Sequence, residues 1–318
     1  MERLTEVRDL RKYFSSGIFR KVYVKAVDGV FFEIGKGETF GLVGESGCGK
    51  TTVGRCLLHL IEPTSGEVRF KGEDILRFNG ERLRVLRRKM QIIFQDADGS
   101  LNPRMRVFDL LVEPLRVHGL LNGRGNEEAL RLLELVNLTP DLLIRFPHEL
   151  SGGQRQRIGI ARAMALSPEF IVADEPAASL DLSVQAQILE LMKRLQEEFG
   201  ISYLLISHNL RMVKLMADRV AVMYLGKFVE VGRVEEVFKR PAHPYTQALL
   251  SAVPSLNPGG RRRILLRGEP PSPINPPPGC RFHPRCPHAQ DICRECEPEL
   301  KKMSGAHLVA CHFIEKAP

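Results

Sequence analysis

From residue 4 to about 75 the chain alternates short runs of β-branched and aromatic residues with glycines. Residues 22–27 and 30–34 read as two strands. Residues 39–43 (Thr-Phe-Gly-Leu-Val) read as a further strand, buried on both faces by its unbroken apolar composition. The pattern changes between about 96 and 165. Leucine and arginine rise, β-branched residues thin out, and residues 127–138 carry apolar positions at helical spacing, so this stretch is expected to be a mainly helical insert. Residues 170–174 return to a buried strand. Residues 185–199 form an amphipathic helix with Ile188, Leu191, Met192, Leu195 and Phe199 on one face, a stripe that reads as plain core packing. Residues 203–207 and 220–225 are two more strands. Strands alternating with helices predict an α/β fold with a parallel sheet covered by helices. Eight prolines between residues 254 and 278 exclude regular helix and sheet there and mark a boundary. Beyond it lies a separate unit rich in cysteine and histidine.

The 318 residues are 43% hydrophobic and 26% charged, an ordinary soluble composition. The net charge of +8 is spread along the chain, with short runs such as Arg87-Arg88-Lys89 and Arg261-Arg262-Arg263. It permits nucleic acid, anionic lipid or phosphorylated small molecules as partners and selects none of them. No segment has the ~18–20 consecutive apolar residues of a bilayer span. The first six residues lack the apolar core of a signal peptide. The expectation is therefore a cytosolic chain that serves any membrane process by docking on a partner.

Gly44-Glu45-Ser46-Gly47-Cys48-Gly49-Lys50-Thr51 fits G-x-x-x-x-G-K-[ST] and stands between the strand ending at Val43 and a helix-compatible stretch from Thr52 to Leu60. Such a loop turns backbone N–H groups and a helix N-terminus onto phosphate oxygens. Lys50 would reach the β- and γ-phosphates of a nucleotide, and Thr51 would place its hydroxyl on Mg²⁺. The apolar strand at 170–174 ends in Asp174-Glu175. A carboxylate at such a strand end holds Mg²⁺ through water, the role given to Asp174. Glu175 beside it is the candidate general base that polarises the attacking water.

Leu150-Ser151-Gly152-Gly153-Gln154 opens another helix with glycines at its start, a second anion-binding terminus. One active site does not need two phosphate loops, so the second is expected to serve a nucleotide held by another subunit. Together with the phosphate loop and the Asp-Glu strand, this segment resembles the signature motif of the ABC ATPase family. The resemblance implies an ABC-type nucleotide-binding domain over residues 1–235, with a mixed sheet core, an antiparallel β subdomain and a helical subdomain at about 96–165. It implies that Gln95 senses Mg²⁺ and the attacking water, that Asp181 in Ser179-Leu180-Asp181 lies across a dimer interface, and that His208 contacts the γ-phosphate. An aromatic residue near the N-terminus stacks on adenine in this family. Phe14 is favoured, with Tyr13 a near rival. All family elements occur in order between residues 10 and 235 and no catalytic position departs from the pattern, so an active ATPase is implied. Its dimer would be head to tail, each ATP lying between one subunit's phosphate loop and the other's Ser151-Gly152-Gly153.

Five of the seven cysteines fall in the last 39 residues. The spacing of Cys280, Cys286, Cys293 and Cys311, with Arg281-Phe282-His283-Pro284-Arg285 among them and His243-Pro244-Tyr245 upstream, resembles the C-terminal extension of oligopeptide/dipeptide importer ATPases over residues 236–318. In that group four such cysteines can hold a [4Fe–4S] cluster. Zinc stays open as an alternative, since Cys293-x-x-Cys296 has zinc-type spacing and histidines lie nearby. Cys296 is extra to the four-cysteine pattern and could replace a neighbour, and unmetallated thiols are a third possibility. The implied function is the motor of a peptide importer, or of one for a related solute such as nickel or an oligosaccharide. Its implied partners are a second ATPase subunit, two membrane-spanning permeases and, indirectly, an extracytoplasmic binding protein, with the chain on the cytoplasmic face of the membrane. The alternative is a soluble ABC ATPase acting on nucleic acid or ribosomes. Basic residues without interleaved aromatics, and a chain with neither a second cassette nor a long coiled-coil insert, argue against it.

Overall fold

The computed structural model describes residues 2–16, 22–253, 264–266 and 268–313. The chain divides into two compact units, one of residues 1–77 with 205–318 and one of residues 78–204. Of the proline-rich boundary expected near 254–278, residues 254–263 and 267 lie outside the described residues. From 268 to 278 the backbone is neither helix nor strand, as that many missing N–H donors require.

The first unit opens with an antiparallel sheet in the order β2-β1-β4-β5, formed by β1 (Arg3–Ser16), β2 (Val22–Gly35), β4 (Ser65–Phe70) and β5 (Glu73–Asp74). The two strands expected at 22–27 and 30–34 are one. β1 runs beside β2 through several register shifts, and these bulges absorb the Asp28-Gly29 break without ending the ladder. The same unit holds β3 (Thr39–Val43), wholly buried as its composition predicts, parallel to β9 (Arg219–Tyr224) with Leu42 opposite Ala221. β10 (Lys227–Arg233) pairs antiparallel with β9. The short β12 (His307–Val309) pairs with the other side of β10, and β11 (Lys301–Ser304) with β12. The sheet is thus mixed rather than purely parallel, because β10 turns back on β9 and the tail's β12 and β11 extend that antiparallel edge. Helix α1 (Lys50–Leu57) follows the loop after β3. α8 (Leu210–Met216), α9 (Val234–Lys239), α10 (Pro244–Ser251) and the one-turn α11 (Ile292–Glu295) complete this unit.

In the second unit β6 (Met90–Ile93) and β7 (Phe170–Asp174) pair in parallel. β8 (Ser202–Ile206), buried throughout, carries the chain across the division between Leu204 and Leu205. α2 (Gly80–Lys89), α3 (Ala97–Ser100), α4 (Val107–Val117), α5 (Gly125–Leu135), α6 (Gly152–Met164) and α7 (Leu182–Phe199) supply the helices. The leucine-rich stretch is helical as expected. α7 buries Ile188, Leu191, Met192 and Leu195, but Phe199 is exposed, since it sits in the last turn before the left-handed Gly200 ends the helix. No described helix is long and apolar enough to cross a membrane.

Candidate nucleotide site

In the first unit the segment 44–49 links β3 to α1. Gly49 caps α1 with φ 112, and a Cβ there would stand 2.0 Å from the Ala26 carbonyl oxygen, so no larger residue fits. The first turn of α1 contains no carboxylate, which leaves its N–H donors and positive dipole end facing an anion without a competitor. Lys50 is buried, and its Nζ donates to the carbonyls of Gly44 (2.8 Å) and Glu45 (3.0 Å). The amine therefore lies across its own loop. Burial pushes the Cys48 and Cys56 thiols up, Cys56 to about 12, so both are packing groups rather than thiolates. Ser207 N–H donates to the Leu42 carbonyl at 3.1 Å, which brings the exposed His208 next to the end of β3 and hence to the loop. On β1, Tyr13 donates its hydroxyl to Asp28, whereas Phe14 is exposed with the Lys12 amine 5.0 Å from its ring centre.

In the second unit the parallel register sets Ile93 beside Ala173. Gln95 and Glu175, each two residues further on, therefore leave the same end of the pair. Asp174 is buried at the strand end. Glu175 has a left-handed backbone (φ 49), an uncommon state for a residue with a side chain and one that concentrates at functional turns. Ser151 caps α6: its hydroxyl accepts from Gln154 N–H, and the Gln154 side chain accepts from Ser151 N–H at 2.9 Å. A Cβ on Gly153 would stand 2.8 Å from Val184, so the starts of α6 and α7 approach as closely as only glycine allows. Asp181 is the cap of α7, accepting from Ser183 N–H (3.1 Å) and Val184 N–H (3.0 Å). Its carboxyl is held below the usual range by the Ser183 hydroxyl and these amides.

In the tail, Cys280, Cys286, Cys293 and Cys311 line one cavity of about 140 Å³ together with His283 and His288. Burial raises the thiols of Cys280, to about 11, and of Cys286 and Cys311, and the neighbouring thiols raise them further. Cys296 is exposed and is not part of that lining. Among the described residues no three His, Cys, Asp or Glu side chains converge closely enough to hold a metal ion.

Other contacts are invisible in sequence spacing. Glu45 N–H donates to the Tyr245 hydroxyl, and Arg285 bonds the Glu45 carboxylate. Arg281 pairs with Asp28. Buried Glu230 accepts from the N–H groups of Ala242 and His243, and from His307 at 2.7 Å. Burial works against the Arg285 charge, but Glu45 and Tyr224 outweigh it and hold the guanidinium above its usual range. These partners lie 200 residues or more from Glu45 or Asp28, and no local pattern announces them.

A phosphate loop after a buried strand, paired carboxylates at another strand end and a second glycine-started helix define an ATP-binding cassette. The ABC transporter model matches residues 27–178, and the model for the oligopeptide/dipeptide transporter C-terminal region matches residues 229–293. The chain is 53% identical to the oligopeptide transport ATP-binding protein AppF of Bacillus subtilis strain 168, over 98% of each chain. It is 49% identical to the dipeptide transport ATP-binding protein DppF of Haemophilus influenzae, over 96% of this chain and 95% of that one. A chain from the dimeric structure of a post-hydrolysis state of the ATP-binding cassette MJ0796 bound to ADP and Pi superposes with a TM-score of 0.65 at 27% identity, covering 73% of this chain and 99% of that one. The chain belongs to the ABC transporter family, as an ATPase subunit carrying the oligopeptide/dipeptide transporter C-terminal region.

Proposed function

We propose that the chain is the ATP-hydrolysing subunit of an importer for di- and oligopeptides, working on the cytoplasmic face of a membrane beneath two permease subunits. The observation that carries this reading is the union in one chain of the cassette and the transporter C-terminal region, along the full length of peptide-transport relatives. The cassette takes residues 1–235 and the extension residues 236–318. A second cassette, a copy or a related chain, completes a head-to-tail dimer.

In this reading Phe14 stacks on adenine, since the Tyr13 hydroxyl is committed to Asp28. The segment Gly44, Glu45, Ser46, Gly47, Cys48, Gly49, Lys50, Thr51 and Thr52 cradles the phosphates. The hydroxyl of Thr51, the amide oxygen of Gln95 and the carboxylate of Asp174 are hard oxygen donors of the kind Mg²⁺ takes. Bound there, Mg²⁺ neutralises phosphate charge. Glu175 accepts a proton from the attacking water, Gln95 orients that water, and His208 donates to the γ-phosphate. Ser151, Gly152, Gly153 and Gln154, with Asp181 at the cap beside them, present the α6 terminus to the nucleotide of the partner cassette. ATP that binds the closed dimer more tightly than the open one closes it, and hydrolysis releases it. Uptake of a labelled dipeptide by cells with and without this chain tests the reading. Loss of uptake with K50A supports it, and uptake indifferent to the chain overturns peptide import.

The four tail cysteines line one cavity without converging to metal-binding distance, and a thiolate-only set drawn from them is the kind a [4Fe–4S] group takes. Cys280, Cys286, Cys293 and Cys311 would hold it, in a structural or sensing role. Iron, sulfide and zinc per chain, measured after anaerobic purification, decide this. About four irons with sulfide, lost in C286S, support the cluster. Zinc alone would replace it, with Cys293 and Cys296 as the pair to test next.

A further inference from the structure

Glu45 is the second residue of the phosphate-loop sequence, and two side chains of the extension hold it. The peptide joining Gly44 to Glu45 is fixed at both ends. Its carbonyl oxygen accepts from Lys50 Nζ at 2.8 Å, and its N–H donates to the Tyr245 hydroxyl at 2.8 Å. A planar peptide points these two groups in opposite directions, so the hydroxyl on one side sets where the carbonyl meets the lysine on the other. The Glu45 carboxylate is held separately by Arg285, with Nη1 on Oε2 at 2.8 Å and Nη2 on Oε1 at 3.1 Å. This paired fork fixes orientation as well as attraction.

Both holding residues are themselves immobilised. Tyr245 is fully buried on α10, whose cap is the His243 ring. Phe282 is 1% exposed, with its ring 5.4 Å from that of Tyr245 and 5.2 Å from that of Tyr224, which it meets edge-on. Arg285 stands three residues further on, its side chain 7% exposed. The segment carrying it is closed by Cys280 N–H donating to the Cys293 carbonyl at 2.8 Å. The guanidinium is thus shielded from water, while the Glu45 carboxylate, 28% exposed, keeps one side open to solvent.

We propose that Arg285 and Tyr245 are positioning residues for nucleotide binding, and that through Glu45 the extension is a working part of the phosphate loop. The inference rests on the assignment of residues 44–51 as that loop. It makes nucleotide affinity a readout of whether the tail is correctly folded around its cysteines. An ATPase whose tail is damaged would lose its grip on nucleotide before it lost the chemistry.

The test measures MgADP affinity by calorimetry, and the KM and kcat of ATP hydrolysis, on the full chain. R285M and Y245F are each expected to raise the MgADP Kd and the KM by roughly tenfold, the loss typical of a bond to a charged or buried partner, with kcat little changed. R285K should recover part of the loss, since it keeps the charge without the fork. In an E45Q background, R285M should add almost nothing. An unchanged Kd in folded R285M, or a penalty of the same size with and without E45Q, overturns the proposal. If R285M does not fold, E45Q and Y245F decide alone, and an unchanged Kd in both overturns it. If the wild-type chain does not bind MgADP, the phosphate-loop assignment itself falls, and this inference with it.

Discussion

At the scale of single residues, Glu175 shows how much a local pattern can reveal. An apolar run ending in two carboxylates is contained within six residues, so both its strand and its chemistry are legible in the sequence. Its left-handed backbone is not, because φ depends on the turn that follows, which ends with Ala178 N–H on the Glu175 carbonyl. E175Q is expected to slow ATP hydrolysis by roughly 10²–10⁴-fold while leaving MgATP binding close to wild type, as removal of a general base requires. A hydrolysis rate within a few-fold of wild type would move the base elsewhere. Lys50 and the loop glycines are legible for the same reason as Glu175. Arg285 is not: read in sequence it is one of many surface-type arginines, and only the folded chain puts it on Glu45.

At the scale of elements, the meeting of α6 and α7 sets the geometry of the signature segment. The serine cap and its glutamine can be read from Ser151-Gly152-Gly153-Gln154, because a capping box is a local pattern. The closeness of the two helix starts cannot be read, since Gly153 and Val184 are 31 residues apart in sequence. G153A is expected to lower stability by about 1–3 kcal/mol through crowding against Val184. V184A introduced with it should return most of that loss in a urea titration, whereas additive losses would show that Val184 is not the obstacle. The exposed end of α7 carries the complementary lesson. Periodicity placed Phe199 on the buried face, but the core ends one turn before the helix does.

At the scale of the whole molecule, the extension is tied to the strands it meets by buried polar groups as well as by the packing of Tyr245 and Phe282 on Tyr224. His243 is fully buried, and burial depresses its pKa to about 4. Between that value and about 6.5 the unfolded chain takes up a proton that the folded chain refuses. Stability is therefore full above pH ~6.5 and falls as the pH drops towards 4, by about 3 kcal/mol over the window. Urea midpoints at about pH 7.5 and about pH 5 should show this fall. H243N, which keeps an acceptor for the α10 cap, should flatten it, and an equal slope in the variant would assign the effect to another group. The order of strands and helices in the cassette is legible because each is a local run. The pairing of β12 with β10 is not, since three residues near the end of the chain carry too little pattern to announce a strand.

That late pairing has a consequence for synthesis on the ribosome. β10 is translated some 74 residues before β12, and until His307–Val309 emerge it presents a bare backbone edge beside the already formed β9. At about 5–20 residues per second this edge stays open for several seconds, a window in which nascent chains on one polysome can pair with each other instead. A message truncated just before the last strands should thus give aggregates rather than a shorter working cassette.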